Sequence, residues 1–233
     1  MQEPAFVLHS YPFRETSLII EVFTRHFGRI GLVARGARRP RSALRGSLLA
    51  FQPLMLGWGG KSELRTLHSA EWQGGVPQLR GLGLMCGFYL NELLLRFLLR
   101  DDAHEALYDV YANAITALSS GVDQSATLRR FEKYLLQELG YALILDREAG
   151  SEKPIQSGRT YAYVLERGPV PLAEVRKPEV EISGKTLVDL ACDNYADPET
   201  LTQSKTLMRY LVGHYLGSQA LHTRQLLREL QQI

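Results

Sequence analysis

Between Ala5 and Trp72, apolar and polar side chains alternate with a period of two, in short runs broken by glycine, proline and charged residues. Such alternation puts every second side chain on one face of an extended chain, and it predicts strands over 5–10, 17–24, 29–34, 48–58 and 63–72. His26-Phe27-Gly28 separates the second strand from the third, and Gly57-Trp58-Gly59-Gly60 the fourth from the fifth. Both read as hairpin connections whose glycines supply the positive φ of a tight turn. Five strands in so short a span predict a small closed barrel of OB-fold size, with an SH3-like barrel as the competing closure.

A cluster of Gly74, Gly75, Pro77, Gly81 and Gly83 then ends the alternation, and the period changes to that of a helix. Leu84, Phe88, Leu93, Leu94, Leu95 and Leu98 belong to a helix that is apolar around most of its circumference, the pattern of a central, buried helix. Three- and four-residue spacing predicts further helices over 106–118, 125–140, 187–192, 200–216 and 223–231. Asp197-Pro198-Glu199 is a helix start signal, and Gly140 suits a C′ position. Residues 146–181 carry Gly150, Pro154, Gly158, Gly168, Pro169, Pro171 and Pro178, and read as an irregular insert with one hairpin at most. The fold class is therefore α+β. A five-stranded OB-fold barrel (1–78) precedes a helical domain (79–233) with a small irregular subdomain.

With 45% hydrophobic and 22% charged residues, the 233-residue chain has enough apolar side chains to build cores, which argues against disorder. Its apolar runs are interrupted by Arg96 and Arg100 and fall short of a bilayer span, and no leader pattern follows Met1; the expected location is cytoplasmic, with the nucleoid. Cys86 and Cys192 stand far apart among apolar neighbours, so neither a disulfide scaffold nor a thiolate metal site is expected. The net charge of +2 conceals an asymmetry. Residues 1–80 hold 11 Lys and Arg against 5 Asp and Glu, whereas the remainder holds 16 against 20.

The excess is concentrated. From Val22 to Ser62 there are eight basic residues, Arg25, Arg29, Arg35, Arg38, Arg39, Arg41, Arg45 and Lys61, and no Asp or Glu. Surfaces that are merely solvated intersperse both signs, so this stretch points to a polyanion. Guanidinium groups pair with phosphate in bidentate fashion and release counterions, giving sequence-independent affinity for nucleic acid. The candidate DNA-binding residues are Arg29, Arg35, Arg38, Arg39, Arg41, Arg45, Lys61 and Arg65. Tyr11, Phe13, Phe23, Phe27, Phe51, Trp58 and Trp72 supply aromatic faces, some for the core and some for stacking on unpaired bases.

The segments Ala5–Ser10, Arg14-Glu-Thr-Ser-Leu18, Val22-Phe-Thr24, Gly28-Arg29, Leu32-Val-Ala34, Gly36-Ala-Arg38, Leu44-Arg-Gly46, Phe51 and Pro53-Leu54 closely resemble the N-terminal barrel of the RecO recombination mediators. Tyr89-Leu-Asn-Glu-Leu93, Leu128-Arg-Arg-Phe-Glu132 and Leu139-Gly-Tyr141 resemble that family's helical domain, and the likeness covers nearly the whole chain, thinning after Asp146. The resemblance implies a non-enzymatic protein of DNA repair and recombination that binds single- and double-stranded DNA and anneals complementary strands. It further implies that the protein engages the C-terminal tail of single-strand-binding protein, and works with RecR to promote RecA loading. The positions matching the family's tail-binding site are Arg129, Arg130 and Phe131, and Lys133 lies one turn on from Arg129 on the same helical face. The four-cysteine zinc site of several relatives is missing, since residues 145–154 contain no cysteine. Zinc and other cofactors are not expected.

Rival chemistry finds little support in the spacing. Gly184-Lys185-Thr186 lacks the first glycine of a phosphate-binding loop, that position being Glu179, and His104-Glu105 is followed by Tyr108 where a zinc-protease helix needs histidine. His9, His26, His68, His104, His214 and His222 form no ligand pair at useful separation. A metal-dependent nuclease or other phosphoryl-transfer enzyme is the alternative from another class, with Glu21, Glu63 and Glu71 as the outlying carboxylates that would have to hold its metal. An adaptor that receives an acidic protein surface is the other.

Overall fold

The computed structural model describes residues 2–141, 143–217 and 220–230, with side chains to Leu226. They form two compact units, one running to Gln124 and including the chain again from Leu221, the other Ser125–Ala220. Gln231, the expected end of the last helix, lies outside the described residues.

In the first unit, β1 (Gln2–Phe13), β2 (Ser17–Thr24), β3 (Gly28–Ala34), β4 (Leu54–Gly59) and β5 (Leu64–Trp72) close into a barrel in the order β1-β2-β3-β5-β4. Every pairing is antiparallel except β3 with β5. This is the OB-like closure. Alternate residues fill its interior, among them Ala5, Val7, Ile20, Val22, Ile30, Leu32, Leu54 and Leu56. Such alternation is what a sheet buried on one face requires.

β1 departs from it for a reason. Ala5 to Leu8 are all buried, because the outward-facing side chains meet helices α1 (Gly81–Phe97) and α2 (Glu105–Ser120). Phe6 packs on Tyr108 and Tyr111 with ring centroids at 5.6 and 5.2 Å, and Phe23 on Tyr108 at 5.5 Å. The β1–β2 register shifts between Val7 and His9, and at this irregularity the carbonyl of Leu8 accepts a hydrogen bond from Asn91 Nδ2 at 2.8 Å. Tyr111 donates in turn to Asn91 Oδ1 at 2.6 Å, so the buried amide is satisfied on both sides.

The expected fourth strand is shortened. Residues 48–53 are not in a strand, because Phe51 sits at φ +64° and Pro53 has no N–H for a ladder, and Gly57 to Gly59, expected in the turn, belong to β4. Gly28 is fixed by two constraints at once: its φ is +65°, and a Cβ there would lie 1.7 Å from the carbonyl oxygen of Asp102. The short helix α6 (His222–Leu230) completes the unit.

The second unit holds α3 (Gln124–Glu138), a three-stranded sheet, and two helices. The insert is more regular than its composition predicts. β6 (Thr160–Val164) pairs with β7 (Gly168–Pro171) as the expected hairpin, but also with β8 (Glu181–Ser183), whose three residues are too few to show alternation. Helices α4 (Gly184–Ala191) and α5 (Pro198–Leu216) follow. The Gly-Lys-Thr run has a structural use. Ser183 Oγ caps α4 by accepting from the N–H of Thr186, Lys185 Nζ bridges Asp189 and Asp197 at 2.6 and 2.7 Å, and a Cβ on Gly184 would strike the carbonyl of Gln156.

Candidate nucleic-acid interface

Strand direction alternates around the chain, so the β1–β2 and β3–β4 connections leave the barrel at one end and the β2–β3 and β4–β5 connections at the other. The β3–β4 connection, residues 35–53, carries Arg35, Arg38, Arg39, Arg41 and Arg45. It is a run of tight turns: Arg39 donates to the carbonyl of Gly36 at 3.0 Å, Ser42 to Arg39 at 3.1 Å, Arg45 to Ser42 at 3.2 Å and Ser47 to Leu44 at 3.3 Å, all through backbone N–H groups. The turns sort the side chains. Ala37 is buried in the barrel core and Leu44 and Leu48 pack against it, while all five arginines are exposed. None of the five has an ion-pair partner among the described residues.

The β1–β2 turn joins this surface. Arg38 N–H donates to the carbonyl of Thr16 at 2.8 Å and Gly36 N–H to Ser17 Oγ at 3.3 Å. Arg14, at φ +52° with its guanidinium carbon 5.1 Å from the Phe13 ring centroid, is exposed in that turn. The charge count did not single it out, since Glu15 follows it and it lies outside the acid-free stretch; only the strand topology brings its turn, through Thr16, against Arg38.

Three of the expected DNA-binding residues are placed elsewhere. Lys61 is exposed, but in the β4–β5 turn at the opposite end of the barrel. Arg29 is turned inward: its Nε donates to the buried carboxylate of Glu21 at 3.0 Å, and its Nη1 to the carbonyls of Leu95 and Leu98 at 2.6 and 3.1 Å, at the C-terminus of α1. A cation there satisfies helix carbonyls that have no intrahelical partner and complements the helix dipole. Arg65 pairs with Asp101. The residue that composition gave no reason to single out is Arg100, which bridges Glu21 and Glu63. Burial works against its charge, yet the two carboxylates outweigh that and raise its pKa above the ordinary value.

These placements also bear on the carboxylates considered for metal chemistry. Glu21 and Glu63 face arginines, and Glu71 lies eight residues along β5 from Glu63, which at about 3.3 Å per residue is roughly 25 Å. The three are not gathered into one ligand set. Among the described residues, no cluster of His, Cys, Asp or Glu has metal-binding geometry, and no helix is long and apolar enough to cross a membrane.

In the second unit, α3 sets out the residues matched to tail capture. Arg129 is only 8% exposed and its guanidinium lies 2.8 Å from Glu132, which is fully buried. Phe131 is 0% exposed, and Lys133 Nζ reaches the carbonyl of Leu190 at 2.9 Å and Asp193 at 2.7 Å. Arg130 is the exposed member, with its guanidinium carbon 5.1 Å from the ring centroid of Tyr195 and an N–H donated to the carbonyl of Asp193 at 3.2 Å. Burial, with Asp193 alongside, holds the Tyr195 phenol well above its ordinary pKa, so the ring under Arg130 stays neutral.

Comparison with known proteins places both units in context. Residues 1–75 match the model for "Recombination protein O N terminal" and residues 79–225 that for "Recombination protein O C terminal". The chain is 58% identical over 232 residues to the DNA repair protein RecO of Nitrosospira multiformis, covering 99% of this chain and 96% of that one. It is 53% identical to the protein of the same name from Aromatoleum aromaticum (100% and 97% covered) and 52% identical to that from Dechloromonas aromatica (99% and 96%).

Proposed function

Since this chain belongs to the RecO family of DNA repair proteins, we propose that it is a recombination mediator that binds single- and double-stranded DNA at the arginine end of its barrel and anneals complementary strands. The observation that carries this reading is the set of five exposed arginines, free of carboxylate partners among the described residues, on a loop braced by successive turns. A preordered array of guanidinium groups can hold phosphates of either duplex or single strands without reading sequence. Two strands held on one cationic surface have their mutual repulsion screened, which is what annealing needs and what requires neither nucleotide nor metal.

On the same reading Arg130 is the cation that meets the acidic tail of single-strand-binding protein, with buried Arg129, Phe131 and Lys133 forming the support beneath it. RecR is the assembly partner, and RecA loading onto coated strands is the outcome. The test is annealing of complementary oligonucleotides coated with cognate single-strand-binding protein, without ATP and with a chelator. Acceleration by this protein supports a mediator; strand cleavage on adding magnesium supports a nuclease and overturns it.

A further inference from the structure

Seven aromatic residues of the barrel were candidates for stacking on bases, and the structure separates them. Phe23 and Phe51 are buried, and Phe27 and Trp58 pack edge to face at 5.6 Å. Trp72, the last residue of β5, is 62% exposed, more than any other tryptophan, phenylalanine or tyrosine among the described residues. β5 runs parallel to β3, so Trp72 emerges at the end of the barrel from which the arginine loop leaves.

An indole this exposed would ordinarily sample several rotamers. Here it is held. Trp72 Nε1 donates to Gln52 Oε1 at 2.9 Å, and Gln52 Nε2 donates to the carbonyl of Val76 at 3.2 Å, with Gln52 itself only 5% exposed. A buried amide thus clamps the polar edge of the ring while the residue stays 62% exposed, which costs a binding partner little ordering entropy. Trp72 lines a cavity of about 300 Å³ together with Gly46, Ser47, Leu49 and Val76, and Leu49 is itself 44% exposed. Gly46, Ser47 and Leu49 all lie within four residues of Arg45 in the chain. An apolar floor, a fixed aromatic face and adjacent unpaired guanidinium groups are complementary to one ligand class: an unpaired nucleobase with its phosphate backbone. A duplex, whose bases are already stacked, cannot use the aromatic face.

Resting on the DNA-binding reading above, we infer that the Trp72 groove is a stacking subsite for an unpaired base, through which this protein favours single strands over duplex. Base–aromatic stacking contributes a factor of about 5 to 160 in affinity. Three oligonucleotides of equal length, oligo(dT), its abasic analogue and a duplex, are titrated against the wild type, W72A, W72F and the R35A/R38A/R39A/R41A variant. The inference expects the wild type to bind oligo(dT) at least about 5-fold more tightly than the abasic strand, W72A to lose that preference with duplex affinity unchanged, and W72F to retain much of it. In a W58F protein, where Trp72 is the only tryptophan, oligo(dT) quenches the fluorescence and the abasic strand does not; this reading leaves the groove intact and stands even where W72A fails to fold. Equal wild-type affinity for oligo(dT) and abasic strands, or no quenching in W58F, overturns the subsite. Loss of duplex affinity in the four-arginine variant alongside that result leaves the DNA-binding reading in place, whereas undiminished duplex binding in the folded variant overturns the reading itself.

Discussion

Glu92 on α1 holds Thr223 twice, accepting from its backbone N–H at 2.9 Å and from its hydroxyl at 2.6 Å, and takes the N–H of His222 at 2.8 Å with its other oxygen. One carboxylate therefore caps the start of α6 from a helix 130 residues earlier in the chain. Partial burial opposes the charge, but the bonds from Thr223 and His222 and the field of His222 outweigh it and hold the Glu92 pKa below its ordinary 4.5. A depressed carboxylate pKa gives stabilisation that is complete above the unfolded value and is lost as pH falls through the folded one. Amide protection in α6, measured against the intrinsic exchange rate at each pH, is expected to fall selectively below pH 4.5, and Glu92→Gln to show the lowered protection at neutral pH. Exchange in α6 that tracks the whole first unit at every pH would contradict the capping role.

Arg29 is expected to act on stability, not on DNA. Arg29→Ala removes one of two arginines facing buried Glu21 and leaves the α1 carbonyls without their donor. Because Arg100 stays, the cost should be about 2–3 kcal/mol in urea denaturation, below the full penalty for breaking a buried pair. The folded variant should keep the wild-type salt dependence of DNA binding.

Gly28→Ala places a methyl group 1.7 Å from the Asp102 carbonyl oxygen at a positive φ. The strained backbone and the clash together predict a loss of at least about 2 kcal/mol, visible as a drop in midpoint on thermal denaturation. A change under about 0.5 kcal/mol would mean that residues 101–103 shift freely away from β3.

The pair Arg129 and Arg130 separates packing from recognition. Arg129→Glu sets a second carboxylate beside fully buried Glu132 and is expected to destabilise the second unit by about 3 kcal/mol or more. Arg130→Glu changes an exposed charge and should leave the melting temperature nearly unchanged while weakening capture of a fluorescent single-strand-binding protein tail peptide about tenfold. Unaltered peptide affinity in Arg130→Glu would remove this surface from the proposed function.

How far the sequence foretold this arrangement depends on the range of the interaction. β2 was predicted residue for residue and β3 to within one, because their alternation reports burial on one side. The start of β4 was hidden, since Leu48 to Phe51 is an apolar run that reads as extended while the φ of +64° at Phe51 breaks the strand. The loop arginines were legible as a cluster because their neighbours in sequence carry no acid. Arg29 and Arg65 looked identical to them, for their partners lie off the local pattern: Arg65 meets Asp101 36 residues on, and Arg29 meets Glu21 on the neighbouring strand and the carbonyls of Leu95 and Leu98 66 and 69 residues on. Long-range pairing of that kind leaves no local pattern. The same holds for Lys133, whose acceptors are Leu190, in the last turn of α4, and Asp193 just beyond it.

The central claim is that guanidinium groups at one end of the barrel hold DNA phosphates, and the salt dependence of binding to a labelled oligonucleotide tests it most directly. In R35A/R38A/R39A/R41A, four counterion-releasing contacts are removed from exposed positions, so the protein should fold normally, bind more weakly, and show a slope of log K against log salt shallower by about 3. A folded variant with wild-type affinity and an unchanged slope would contradict the account.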